Sequence, residues 1–273
     1  MKWSRAYDQA RSDASDLEIF KYWFELYKFA VDKYGIAEPD RYNMDEKGFA
    51  MGIIGSKKII VRRSDCNNYR IHPGSQEWVS FIEAVSMNGF KFPAYVIFLG
   101  QKIQTLWGKA FNDKNAHIRV SDKGWTINEI SMHWLVHVFH KYSLPRTTAG
   151  GYRLLILDGH GSHVTFEFIE FCWKEKIVPL CLSLYVTHYF QPLDVGIFRP
   201  LAQTYKYLLY EYCKYGAVQI SKEDFLRMVE TAREMAMTST TIQHGWGKSG
   251  LNRTILNLLS PSSLQQTFSA QLL

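Results

Sequence analysis

The chain has 273 residues, 47% of them hydrophobic and 21% charged, a globular composition that excludes wholesale disorder and suits one large domain or two small ones. Its 32 Lys and Arg against 26 Asp and Glu leave a net charge of +6, which permits a nucleic-acid partner without requiring one. Four scattered cysteines, Cys66, Cys172, Cys181 and Cys213, exclude a disulfide framework and a paired-cysteine zinc site, and read as free thiols of a reducing compartment. The first 20 residues lack an apolar signal-like stretch, and the longest apolar runs, at 94–99 and 154–157, are too short to span a bilayer. An intracellular, soluble protein with no membrane partner is expected.

Leu17, Phe20, Phe24, Tyr27 and Val31 recur at helical spacing and predict a helix over 16–34, with Ser15 and Glu18 as its capping box. Gly35 and Pro39 end it. Tyr42 to Glu46 reads as a short strand carrying an acid, and 49–54 and 58–61 as strands around a Gly55-Ser56 turn. The alternation over 77–85 predicts a strand, which Asn88-Gly89 turns into a run from Phe92 to Leu99. Thr126 and Glu129 form a second capping box for a helix from 127 to about 142. The continuous apolar run 154–157 predicts a strand covered on both faces. A helix from Val164 to about 176, a strand over 177–182 and a helical pattern from Gln191 to about 215 follow, the last stopped by Gly216. Ser221 and Asp224 open a further helix that runs to about Met237. This order of elements predicts an α/β layout with a mixed sheet flanked by helices.

Three acids stand out by placement. Asp45 sits on the first strand, Asp158 at the C-terminal end of the apolar strand, and Asp194 at the start of a helix. Such positions can converge at one edge of an α/β sheet, where ligands bind. Each acid also has a plain structural reading: Asp194 as a helix cap, Asp158 as a turn residue before Gly159, Asp45 as a solvated strand end. Taken together, hard oxygen ligands suit Mg²⁺ or Mn²⁺ better than zinc. Three carboxylates around two such ions, roughly 4 Å apart, can activate a water and stabilise a leaving oxygen in phosphodiester chemistry.

Asn43-Met-Asp-Glu-Lys-Gly-Phe49, Leu155-Ile-Leu-Asp-Gly-His-Gly-Ser-His163 and Thr187-His-Tyr-Phe-Gln-Pro-Leu-Asp-Val-Gly196 resemble the three acidic blocks of the pogo/Tigger/jerky-type DDE transposases. The stretches 78–84, 124–130 and 245–251 resemble further blocks of that domain, and 35 residues separate Asp158 from Asp194, close to the family's interval. The resemblance covers about 15–255 and implies a ribonuclease-H-like catalytic core. It implies Asp45, Asp158 and Asp194 as a catalytic triad that binds two Mg²⁺ or Mn²⁺ ions. The implied reaction is DNA strand cleavage and strand transfer, one ion activating the attacking water or 3′-hydroxyl and the other steadying the departing 3′-oxygen. It further implies DNA as partner, a homodimer and a nuclear location. The family's N-terminal DNA-reading domains are expected to be absent from this chain. Glu46 points to the opposite face from its neighbour Asp45 and is left out of the site. The stretch Ser183-Leu-Tyr-Val-Thr-His188 departs from the family's Pro-Pro-His-Ser-Thr-His, and Gly159 replaces an asparagine-type residue.

His160, His163 and His188 lie near the acids but lack helical metal-ligand spacing, so they read as supporting residues rather than ligands. Gly159 and Gly161 lie outside any phosphate-loop word. Lys57, Lys58, Arg62 and Arg63 fit either phosphate contact or a charged strand edge, and Lys102, Lys109, Lys114 and Lys123 are equally open. Trp107 reads as filling a small hydrophobic cluster in preference to stacking a base.

The expected organisation is a helical lead-in over 1–40, a catalytic domain over 41–215 and a helical extension of that domain over 216–273. Two competitors stand beside the transposase reading. One is a domesticated or truncated remnant that binds nucleic acid without cleaving it. The other is a different two-metal nuclease, such as an RNA–DNA hybrid ribonuclease, because a fold does not fix its substrate.

Overall fold

The computed structural model describes residues 9–51, 77–148, 150–159, 161, 165–182, 190–214 and 220–251. Helix α1 (Gln9–Tyr34) begins before Ser15, which therefore lies inside the helix instead of capping it. Phe20, Trp23, Phe24, Tyr27 and Ala30 form its buried stripe, at the spacing that keeps side chains on one helical face. Strand β1 (Arg41–Ala50) is longer than expected. Phe49 does not start a second strand, because pairing with β2 (Trp78–Ser86) runs unbroken from Tyr42↔Ser86 to Ala50↔Trp78. The Gly55-Ser56 turn, the strand over 58–61, Cys66 and the basic residues at 57–63 lie outside the described residues.

The Asn88-Gly89 turn forms, with Gly89 at a φ of 94° and its amide donating to Ser86 O at 3.1 Å. The strand after it, β3 (Tyr95–Leu99), starts later than Phe92. Only a single bridge, Val85↔Lys91, precedes it, and Pro93 has no amide to extend the ladder. Helix α2 (Thr105–Ala110) and strand β4 (His117–Ser121) were hidden in a lysine-rich stretch. Trp107 of α2 is buried against Phe98, with ring centroids 4.9 Å apart, the hydrophobic role expected of it. Helix α3 (Asn128–Trp134) continues through a π-helical turn (Leu135–His140) into α4 (Lys141–Ser143). Its expected capping box is not made: Ile127 takes the cap position, and the buried Thr126 hydroxyl has no partner.

Strand β5 (Arg153–Asp158), helix α5 (Phe166–Lys174) and strand β6 (Ile177–Leu182) follow as anticipated. A π-helical turn (Leu193–Ile197) then leads into α6 (Phe198–Lys214). Helix α7 (Lys222–Ala236) carries the expected Ser221/Asp224 capping box, and α8 (Ser239–Lys248) closes the described chain. The six strands lie in the order β4-β3-β2-β1-β5-β6. Strands β1, β2 and β3 form an antiparallel meander, while β5 runs parallel to β1 and β6 parallel to β5. This is a ribonuclease-H-like mixed sheet flanked by helices, with β4 added parallel to β3 at the far edge. The core is split by the sheet: one layer gathers α1, α6, α7 and α8 with the odd residues of β1 and β2, the other gathers α3 and α5 with the even ones.

Two close contacts fix the first layer. Arg233 of α7 grips Glu83 of β2 through two bonds, Nε to Oε1 at 2.7 Å and Nη2 to Oε2 at 2.9 Å, and also donates to Phe92 O at 2.8 Å. Both side chains are buried, so removing either partner would strand a charge and cost about 3–5 kcal/mol. The second contact joins Gly196 in the π-helical turn to Gly245 in α8. A Cβ on Gly196 would lie 2.5 Å from the Gly245 Cα, and one on Gly245 would lie 3.0 Å from Pro192 O. Glycine in a helix is ordinarily worth replacing, since alanine gains roughly 0.5–1 kcal/mol. At Gly108 of α2, where nothing lies within 4 Å, Gly108→Ala is expected to raise the unfolding midpoint slightly. At Gly196 the sign reverses: Gly196→Ala is expected to cost about 1–3 kcal/mol through overpacking, measured as a lower midpoint in urea.

Candidate active site

Strands β1 and β5 pair in parallel over three positions, ending at Asn43↔Ile156. Beyond that rung β1 continues along β2 and β5 continues along β6, so the two strands part. Asp45 and Asp158 each stand two residues past the rung. Side chains alternate with a period of two, so both acids share the face of Asn43 and Ile156, the layer that holds α1 and α6. Asp194 lies on the π-helical turn that opens α6, within reach of Asp45 for its charge to act there. Asp45 is buried, Asp158 half-buried and Asp194 exposed, which grades the cleft from floor to rim.

Asp194 and Asp158 both lie close enough to Asp45 for their charges to act on it. Burial, followed by the charge of Asp194, pushes the Asp45 carboxyl well above the usual carboxylate range, and the charge of Asp158 adds to this. The opposing effect is the Glu46 backbone amide, which donates to Asp45 Oδ1 at 2.7 Å. Glu46 itself pairs with Ile82 in the ladder and so projects to the other face of the sheet, as expected from its place beside Asp45. Glu83 stands directly opposite Asp45 in the β1–β2 register. From the sequence alone it has no assigned role. Its charge is matched by Arg233, which keeps a fourth carboxylate out of the cleft.

Among the described residues no three acidic, histidine or cysteine side chains are gathered closely enough to hold a metal ion as they stand. The donor chemistry nevertheless fits a hard divalent cation: three carboxylates, one of them buried under uncompensated negative charge. His160, His163 and His188 lie outside the described residues. Cys172, Cys181 and Cys213 are free thiols. Cys181 is held above its ordinary value by burial and by the charge of Asp158, which makes it a poor thiolate ligand.

Comparison with known proteins gives the class. The profile of the DDE superfamily endonucleases matches residues 75–246, well over half of the chain, and the chain belongs to that family. Two curated relatives share sequence with it. The protein named MFS-type transporter clz9 of Cochliobolus lunatus is 34% identical over 220 residues, 80% of this chain and 24% of the relative. Chaetoglobosin A biosynthesis cluster protein C of Chaetomium globosum is 45% identical over 62 residues, 23% of this chain and 15% of the relative. The chain thus spans about a quarter or less of the curated relatives it matches. No helix among the described residues is long and apolar enough to cross a membrane. Among solved structures, the Mos1 transposase paired-end complex with left transposon end aligns over 92% of this chain and 66% of its own, at 11% identity and a TM-score of 0.45. The catalytic domain of Mos1 mariner transposase aligns over 92% and 98%, at 9% identity and a TM-score of 0.39.

The raised Asp45 carboxyl has a direct consequence for stability. The folded protein holds this proton more firmly than the unfolded chain, so stability is lost as pH rises from the ordinary carboxylate value through the folded one. Asp45→Asn keeps an acceptor for the Glu46 amide and removes the charge. In metal-free buffer the variant is expected to be more stable than the parent at pH 7. The difference should vanish below about pH 4, where the parent carboxyl is protonated in both states. Urea midpoints at the two pH values check this.

Proposed function

We propose that this chain is the DNA-cutting and strand-transferring domain of a transposase, with Asp45, Asp158 and Asp194 holding two Mg²⁺ or Mn²⁺ ions. The observation that carries the reading is the mutual charge of the three acids around one cleft, most of all the unfavourable state of buried Asp45. Like charges held close in a poorly solvated place are costly unless a cation joins them. The chemistry such ions supply when bound is activation of a water or hydroxyl and stabilisation of the departing oxygen in phosphodiester cleavage.

The remaining work falls to the chain. Asp45, at the floor, gives up its proton to take a cation, so metal affinity rises with pH through its folded value. Asp158 and Asp194, closer to solvent, stand where they would draw the cation to the rim. The net positive charge of the chain suits a polyanion such as DNA. A homodimer and a nuclear location belong to the same proposal, since transposon ends are cut as pairs on chromosomal DNA.

The test is nicking of supercoiled DNA with Mg²⁺ or Mn²⁺. The parent is expected to nick, and Asp158→Asn is expected to lower the rate by at least about 100-fold. DNA binding without metal-dependent nicking in the parent would favour the remnant that binds without cutting. Preference for an RNA–DNA hybrid over duplex DNA would move the assignment to a hybrid ribonuclease.

A further inference from the structure

One buried side chain touches all three acid-bearing segments. Asn43 is fully buried and lies two residues before Asp45. Its Nδ2 donates to Ile156 O at 3.2 Å, two residues before Asp158, and to Met44 O at 3.3 Å. Its Oδ1 accepts from the Leu193 amide at 3.0 Å, one residue before Asp194. Both amide hydrogens and the carbonyl oxygen of the side chain are therefore in use. We propose that Asn43 is the positioning residue of the acidic site, the group that sets how close the three carboxylates stand; this rests on the function proposed above.

The chemistry of the position explains why an asparagine serves. Backbone pairing between β1 and β5 stops at Asn43↔Ile156, the place where the acids begin to repel. Beyond it the two strands and the π-helical turn need a tie that donates to one segment and accepts from another. An aspartate would set a charge against two carbonyl oxygens, and a leucine would leave the Leu193 amide and Ile156 O unpaired and buried, at roughly 1–3 kcal/mol each. Gln191 supports the same point from the turn. It is fully buried, its Nε2 donates to Met44 O at 3.4 Å, and its backbone carbonyl accepts from the Val195 amide at 3.0 Å. With the Asn43 tie cut, mutual repulsion can relax the acids apart while the sheet and both core layers persist.

The experiment compares the parent with Asn43→Ala, with Asn43→Ser in case the alanine variant does not fold, and with Val229→Ala. Val229 is a buried residue of α7, a helix that carries none of the three acids, so it controls for lost stability. Mn²⁺ affinity is measured by calorimetry at a temperature where circular dichroism shows each variant folded, and amide exchange is followed at Leu193 and at Leu209. The Asn43 variants are expected to bind Mn²⁺ about 10–100-fold more weakly, the range seen when a group that orients a ligand is lost. Exchange should quicken at Leu193 and not at Leu209. Val229→Ala should bind like the parent despite a lower unfolding midpoint. A folded Asn43 variant with the parent's Mn²⁺ affinity and unchanged Leu193 exchange overturns the proposal. If the parent itself binds no Mn²⁺, the proposed function fails, and the exchange ratio of Leu193 to Leu209 alone still decides whether Asn43 is the tie.

Discussion

The burial of Asp45 within reach of the charges of Asp194 and Asp158 is the constraint from which the rest of the site follows. Asp45 is buried, and the charges of Asp194 and Asp158 both disfavour its ionised form. Left alone, such a group would protonate, move apart or draw in water. The fold opposes separation with rigid parts. The sheet supplies β1 and β5 side by side, and the parting of their ladder opens the cleft. Packing of the odd-numbered face against α1 and α6 closes it from behind.

Besides Asp194 and Asp158, Glu46 also adds its charge at Asp45. Glu83 faces Asp45 across the ladder, yet its negative charge is spent on Arg233. A buried pair of this kind adds little net stability, because desolvation consumes most of the attraction. Its value here is local: it lets an acid sit opposite Asp45 without joining the triad. Among the described residues no guanidinium grips Asp45 in this way, and burial leaves its carboxyl well above the usual carboxylate range.

Much of this was legible in the sequence, for identifiable reasons. The three acids announced themselves by position: an apolar run that ends in Asp158, and blocks around Asp45 and Asp194 that resemble a known family. Long periodic helices and the Ser221/Asp224 capping box were also readable, because local spacing alone determines them. What stayed hidden depended on distant contacts. Strand β4 mixes His117 and Arg119 with Ile118 and Val120, and it becomes a strand only by pairing with β3. Thr126 has the right neighbours for a cap, but the chain enters the helix one residue later and leaves its hydroxyl unpaired. Asn43 lay inside a quoted motif without a role, since its partners are 113 and 150 residues away. Glu83 was likewise invisible as a shielded acid until Arg233, 150 residues on, was placed beside it.

The meeting of Gly196 with Gly245 also bears on the order in which the molecule can assemble. All three acids have been synthesised once the chain passes residue 194, and β1, β5 and β6 can already pair. The turn that carries Asp194 nevertheless rests on α8, the last described helix. A growing or shortened chain that stops before Ser239 holds every acid and lacks the surface against which the third one is seated. Contacts this far apart in sequence close late and slowly. The acidic cleft is therefore finished only when α8 docks, so a partly made chain has the sheet before it has the site.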